Sequence, residues 1–107
     1  MSNATIKQQT WTIFLKYYSQ QNAGRPTRLG VFDNGNDYWI EDGLPLSGID
    51  FDTHGSSLNI QIMLGDKITH SIKNVRKVQM NFSLDELNDG LDITDNDGVT
   101  TILRFEE

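Results

Sequence analysis

The sequence has 107 residues, of which 36% are hydrophobic, and its net charge at pH 7 is −6. This length suits one domain, and its Trp, Phe and Tyr side chains provide the bulk for a single core, which argues against a disordered chain. There is no cysteine, which excludes a disulfide framework, a cysteine-ligated zinc site and a thiol nucleophile. We expect a single domain over residues 1–107, with the polar residues 1–9 disordered.

The charges fall into four blocks of alternating sign. Residues 1–32 carry four basic and no acidic side chains, residues 33–66 seven acidic and no basic, residues 67–84 four basic and no acidic, and residues 85–107 eight acidic and one basic. Two explanations are open. Oppositely charged strands can pair across a sheet, or a surface of both signs can dock a protein partner or a second copy of the chain.

Composition also excludes several classes of partner. A nucleic-acid binder normally presents a net basic face, and this chain is acidic. The N-terminal residues lack the apolar run of a signal peptide, and no stretch approaches the roughly 20 apolar residues that span a bilayer. We therefore expect a cytoplasmic protein without a nucleic-acid or membrane partner.

The first predicted element is a helix over residues 10–22. Its apolar residues recur at i, i+3, i+4 and i+7, the spacing of one helical face; they are Trp11, Phe14, Leu15 and Tyr18. Thr10 is a suitable N-cap, and Gly24 followed by Pro26 is typical of a helix end. We interpret the aromatic stripe as packing against a sheet rather than as a ligand site.

From Thr27 the hydrophobic period changes to two, which predicts strands joined by hairpins. Asn34-Gly35 favours a type I′ turn, because both of its positions need positive φ. The predicted partners across this turn are Val31 with Tyr38, Leu29 with Ile40, Gly30 with Trp39 and Arg28 with Glu41.

Two further hairpins are predicted in the middle of the chain. A two-residue turn at His54-Gly55 pairs Phe51 with Leu58 and Ile49 with Ile60. A three-residue loop at 65–67 keeps the apolar residues on one face; its pairs are Leu64 with Ile68, Ile62 with His70 and Ile60 with Ile72.

The C-terminal part is predicted to form a strand, a helical turn and a last hairpin. The strand covers residues 75–82 and directs Val78, Met80 and Phe82 inward. Residues 83–86 have the spacing of a capping box and open a helical turn that Gly90 ends. A turn at 96–98 then pairs Leu91 with Leu103 and Ile93 with Thr101.

The predicted fold class is α+β, with an N-terminal helix followed by an antiparallel β-meander of about seven strands in sequential order. A sheet of this many strands twists, and we expect it to curl into a half-barrel whose opening or face the helix covers.

His70 is the main candidate for chemistry. Alternation places it on the apolar face, where a buried imidazole needs hydrogen-bond partners. It is then a structural histidine of the core or rim, a pocket histidine that contacts a ligand, or a general base. Asp66 and Ser71 point elsewhere, so no catalytic triad is predicted.

No metal or other cofactor is predicted. The sequence has two histidines, which is too few for an all-histidine site. The run Asp95-Asn96-Asp97-Gly98 does not fit a calcium-binding EF-hand loop, because Ile93 would occupy the first ligand position and Arg104 that of the bidentate glutamate.

Phe32 and Trp39 fall on the face opposite to Tyr38 and Ile40. Either the helix covers this aromatic pair, or the pair forms an exposed patch beside Asp37 and Glu41. Exposed aromatic side chains of this size usually mark a contact surface.

Four strings of the sequence together resemble a family of small bacterial proteins, domain of unknown function 5335. They are Gly43-Leu44-Pro45-Leu46-Ser47-Gly48-Ile49, Ile62-Met63-Leu64-Gly65-Asp66, Thr69-His70-Ser71-Ile72 and Thr100-Thr101-Ile102-Leu103-Arg104-Phe105. The resemblance extends from Trp11 to Phe105. It implies a stand-alone bacterial domain and brings no activity with it, but it adds Arg104 to His70 as a candidate site residue.

These observations favour a non-enzymatic protein-interaction or ligand-binding module that uses Trp39, Phe32 and the segregated charges. The alternative is a small enzyme or ligand sensor with a pocket lined by His70 and Arg104. A third possibility is a structural protein that acts by self-association, which the charge blocks would make sensitive to salt.

Overall fold

In the computed structural model, the described residues form one helix and eight strands, and the strands make a curled antiparallel sheet closed by the helix. The structure describes residues 3–6, 11–54, 57–66, 68–82 and 88–106. The elements are β1 (Asn3–Ile6), α1 (Trp11–Asn22), β2 (Pro26–Asp33), β3 (Asn36–His54), β4 (Ser57–Leu64), β5 (Ile68–Ile72), β6 (Val75–Phe82), β7 (Asn88–Asp95) and β8 (Thr100–Phe105). The predicted helix, followed by seven antiparallel strands in a half-barrel, is confirmed. The predicted N-cap, Thr10, lies outside the described residues.

The strand order departs from a sequential meander at two places, because β1 pairs with β6 and β8 pairs with β2. The order across the sheet is β1-β6-β7-β8-β2-β3-β4-β5, so β8 returns to pair with β2, and β5 and β6 are not neighbours. Residues 73–74 connect β5 to β6 without forming a hairpin. Asn74 has a φ of 55°, its N–H donates to Asn59 Oδ1 at 3.0 Å, and its carbonyl accepts from the N–H of Asn96 at 3.0 Å.

Several predicted registers are confirmed. Asn34 and Gly35 both have positive φ, 50° and 87°, as a type I′ turn requires. The pairs found as predicted are Val31–Tyr38, Gly30–Trp39, Leu64–Ile68, Ile62–His70, Ile60–Ile72, Leu91–Leu103 and Ile93–Thr101.

Other registers were predicted wrongly. Next to Gly30, β3 contains a bulge, so Leu29 pairs with Glu41 and Arg28 with Asp42, and the predicted partners Ile40 and Glu41 are each displaced by one residue. A bulge adds one unpaired residue, and the hydrophobic alternation of the sequence does not predict its position.

The β3–β4 hairpin is displaced by two residues from its predicted register. Phe51 pairs with Ile60 and Ile49 with Ile62, while His54 pairs with Ser57. A shift of two leaves every side chain on its original face, so alternation alone could not distinguish the two registers. Residues 55–56 lie outside the described part of the chain.

Two predictions about irregular segments were also wrong where the structure describes them. Residues 3–6, expected to be disordered, form β1, because their backbone pairs with an otherwise free edge of β6. Gly90, expected to end a helical turn, lies in β7 opposite Arg104. There the backbones approach so closely that a Cβ on Gly90 would lie 1.8 Å from the Leu103 carbonyl oxygen. The capping-box segment 83–86 lies outside the described residues.

The core fills the concave side of the sheet. Its fully buried side chains include Leu29, Ile60, Ile62, Leu64, Leu91, Ile93 and Leu103. Leu15 and Tyr18 of α1 belong to the same cluster, and Ser19 Oγ accepts a hydrogen bond from the N–H of Ile49 at 2.9 Å. The helix therefore closes the concave side and leaves the convex face of β2 and β3 uncovered. In the described part of the chain, no helix is long and apolar enough to cross a membrane.

Candidate functional sites

An exposed aromatic patch lies on the convex face of the β2–β3 hairpin. Trp39 is 47% exposed and Phe32 38% exposed, and their ring centroids lie 6.5 Å apart at an interplanar angle of 81°. The guanidinium carbon of Arg28 lies 4.5 Å from the centroid of the Trp39 ring. We call Arg28, Phe32 and Trp39 the Trp39 patch. Of the two alternatives for this aromatic pair, the exposed patch is the one found, because α1 packs on the opposite face.

The local sequence explains how Trp39 is held. Gly30 lies directly across from Trp39, and a Cβ on Gly30 would come within 2.6 Å of Trp39 Cε3. The absence of a side chain at Gly30 therefore lets the indole lie close to the sheet while its outer part remains in solvent. Edge-to-face contact with Phe32 and stacking with Arg28 further restrict the ring.

Carboxylates surround this patch. Arg28 Nε lies 4.0 Å from Glu106 Oε2, and Asp42 pairs with Arg28 in the β2–β3 register. A side-chain hydrogen bond with Asp42, followed by partial desolvation and the repulsion of the two charges, raises the pKa of Glu106. The patch thus has two carboxyl groups at its rim that lie close enough to share a hydrogen bond.

Arg104 belongs to the convex face and not to a pocket with His70. It pairs with Arg28 across β2 and β8, and its Nη1 lies 2.8 Å from Asp92 Oδ1. The same nitrogen donates to the Leu103 carbonyl at 3.1 Å. Because Leu103 faces the core, alternation turns its neighbour Arg104 outward, which corrects the expectation that Arg104 and His70 line one pocket.

His70 lines a cleft of about 210 Å³ at one end of the concave side. We call it the His70 cleft; its lining includes Val31, Tyr38, His70, Lys73, Asp95 and Val99. The cleft lies between the end of β5, the β2–β3 hairpin and the β7–β8 turn. His70 is partly buried, and desolvation lowers the pKa of its imidazole below the ordinary value of 6.5.

The polar groups of this cleft retain unused hydrogen-bonding capacity. Asp95 Oδ1 accepts from the N–H groups of Asp97, at 2.9 Å, and Val99, at 3.0 Å. Within the described residues, no hydrogen bond or ion pair engages the side chains of His70, Lys73 or Tyr38. The cleft can therefore offer both donors and an acceptor to a bound molecule.

A second groove runs between α1 and β3. Its volume is about 360 Å³, and Ile13, Lys16, Phe51 and Asp52 line it. Ile13 is 62% exposed, and the neighbouring helical residue Tyr17 is 60% exposed. It is an open groove between surface side chains, unlike the Trp39 patch, whose rings are held by defined contacts.

Sequence reasoning missed four contributors to these sites, namely Arg28, Tyr38, Lys73 and Asp95. Tyr38 could have been found, since its predicted pairing with Val31 already placed both on the concave face. Lys73 and Asp95 converge only through the β5–β6 connection and the β7–β8 turn, which the sequence did not bring together. In the described part of the chain, no group of three or more His, Cys, Asp or Glu side chains could hold a metal ion.

Comparisons with known proteins place the chain in a family. It belongs to the family of unknown function DUF5335, which matches residues 2–107, so the resemblance seen in the four sequence strings is confirmed. The fold is similar to the crystal structure of the Bacillus subtilis YojF protein, with a TM-score of 0.56 and 10% sequence identity over 100% of this chain and 95% of that one. At this identity the similarity concerns the fold alone. No curated protein matches the sequence.

Proposed function

We propose that this chain is a non-enzymatic protein-interaction module of a bacterial cytoplasmic protein, with the Trp39 patch as its contact surface. The observation that carries the proposal is the half-exposed Trp39, held in place by Gly30, Phe32 and Arg28. The bacterial and cytoplasmic assignments rest on the sequence, through the resemblance to a bacterial family and the cysteine-free composition.

Restrained aromatic side chains suit binding for an energetic reason. Association costs the entropy of every side chain that becomes ordered at the interface. The contacts that Trp39 makes with Phe32 and Arg28 restrict its motion before any partner arrives. Trp and Arg are also the residue types that most often dominate the binding energy of interfaces.

Charge complementarity indicates the chemistry of the partner. Two carboxyl groups lie beside Arg28 at the rim of the patch, and these groups, Asp42 and Glu106, lie close enough to repel each other. A cationic side chain placed there would relieve this repulsion, while an apolar side chain would cover the indole. We therefore infer a protein partner that presents basic and apolar side chains together.

A selection from a random peptide library displayed on phage tests this proposal. The full chain is the bait, and peptides that also bind the Trp39→Ala variant are removed. We expect the recovered peptides to be enriched in Lys or Arg beside an aromatic or aliphatic residue. Their affinity should fall as salt concentration rises, because salt screens exposed charges.

The matched control is Tyr38→Ala, which removes an exposed aromatic ring from the same strand on the opposite face. Peptides that bind this variant as they bind the wild type support the Trp39 patch as the contact surface. Recovered peptides without basic residues, or with equal affinity for the Trp39→Ala variant, contradict it. Analytical ultracentrifugation of the chain alone tests whether the partner is instead a second copy of the chain. A dimer that is lost in the Trp39→Ala variant would mean that the patch binds a second copy.

A second candidate function is that of a ligand sensor or small enzyme with its pocket at His70. The observation that favours it is the His70 cleft, where a partly buried imidazole lies beside two charged side chains. A His70→Ala variant that retains the wild-type melting temperature but loses a ligand-induced thermal shift would support it. A variant that unfolds at a much lower temperature would make His70 a structural residue.

A further inference from the structure

Two side chains of opposite charge line the His70 cleft without neutralising each other. Lys73 follows β5 and Asp95 ends β7, and among the described residues no ion pair joins them. A ligand with a single charge would meet one of these groups favourably and the other unfavourably. A ligand that carries both charges can satisfy the two at once.

The carboxylate of Asp95 is positioned for such a contact. Its Oδ1 is held by the N–H groups of Asp97 and Val99, which fixes the carboxylate and leaves Oδ2 as an acceptor. The ammonium group of Lys73 carries three donors, and no described residue uses them in an ion pair. The cleft therefore presents a fixed acceptor and a cationic donor.

The rest of the cleft suits a small molecule with an apolar part. Val31 and Val99 provide apolar surface, and Tyr38 and His70 provide neutral polar groups. Its volume is about 210 Å³. This space is below the range of drug-sized pockets and suits a ligand of only a few non-hydrogen atoms.

We propose that the His70 cleft binds a small zwitterion with the charge pattern of an α-amino acid, its carboxylate on Lys73 and its ammonium on Asp95. This assignment rests on the second candidate function, in which the cleft is a ligand site. The aliphatic part of the ligand contacts Val31 and Val99.

Nuclear magnetic resonance titration of the full chain with L-valine tests the proposal. Isovalerate (3-methylbutanoate) and isobutylamine carry the same branched body as L-valine with only the carboxylate or only the ammonium. We expect L-valine to shift the amide signals of Lys73, Asp95 and Val99. Each singly charged analogue should bind about fivefold more weakly, the factor that corresponds to the loss of one partly exposed ion pair.

Charge-removing variants provide the matched controls. Lys73→Gln and Asp95→Asn should each weaken L-valine binding about fivefold, and the Asn side chain retains an Oδ1 that can accept the two turn hydrogen bonds. Lys77→Gln and Asp97→Asn make the same charge changes outside the cleft and should leave the affinity unchanged. Thermal unfolding of all four variants checks that the fold is retained.

The outcomes separate this inference from the function on which it rests. If isovalerate or isobutylamine binds the cleft as tightly as L-valine, the assignment of a zwitterionic ligand is wrong while the cleft remains a ligand site. If none of the three probes shifts the amide signals of the cleft, the ligand-binding function of the cleft is overturned as well.

Discussion

The two faces of the β2–β3 hairpin present two kinds of candidate site, although their central residues are neighbours in the sequence. Tyr38 lines the cleft on the concave face, and Trp39 lies in the patch on the convex face. The patch is a surface whose rings are restrained by side-chain contacts. The cleft is an open concavity lined by side chains from β2, β3, β5 and the β7–β8 turn. One hairpin thus bears the proposed protein-contact surface on one side and the proposed small-molecule site on the other.

The largest effect that should distinguish the two faces is a truncation of the core. Leu29→Ala removes a fully buried side chain from the concave face and should lower the free energy of unfolding by about 2–5 kcal/mol. The matched variant on the convex face, Phe32→Ala, removes a partly exposed ring and should cost about 1 kcal/mol. Urea-induced unfolding measures both; equal losses would mean that the convex face is as much a core as the concave one.

An intermediate effect on stability is expected at Gly30, where the Trp39 ring lies against the backbone of the sheet. Gly30→Ala should lower the free energy of unfolding by about 1–3 kcal/mol, because the new methyl group overlaps the Trp39 ring. In a Trp39→Ala background the same change should cost little, since the obstructing ring is gone. A double-mutant cycle by chemical denaturation measures this coupling. If the cost of Gly30→Ala persists in that background, the close approach of Trp39 is not its cause.

The smallest effect is expected from the pH dependence of the cleft. Burial lowers the pKa of His70 in the folded protein, so below its ordinary value the unfolded chain binds more protons than the folded one. Stability contributed by neutral His70 is therefore complete above about pH 6.5 and is lost as the pH falls toward the folded-state pKa. His70→Gln should remove this part of the pH dependence of the free energy of unfolding, which is measured from about pH 8 to about pH 5. An unchanged pH dependence would show that His70 is solvated as in the unfolded chain.

Much of the fold could be predicted because most of its turns carry clear chemistry. The Asn34-Gly35 turn fixed the first hairpin at its tip, and the need to keep Ile62 and His70 on one face selected the correct three-residue loop. The errors arose where alternation is uninformative. A bulge leaves Ile40 without a partner in β2, and a shift of two between β3 and β4 changes no face.

The candidate sites were less predictable, because they depend on relations between distant strands. Alternation placed Phe32 and Trp39 on a common face but could not tell whether the helix would cover that face. It placed His70 toward the apolar side, yet the approach of Asp95 depends on the β5–β6 connection. Arg104 was grouped with His70 by sequence resemblance, whereas the sheet separates the two onto opposite faces.

The pairing of β2 with β8 has a consequence for how the chain folds. Residues 26–33 cannot complete their second row of ladder hydrogen bonds until residues 100–105 have left the ribosome. Until then the β2 edge of the β2–β3 hairpin has no partner strand, and other chains can pair with it. Contacts between such distant segments slow folding, so the pairing of β2 with β8 should form late. Until it forms, the open edge of β2 is the part of the nascent protein that most needs protection against aggregation.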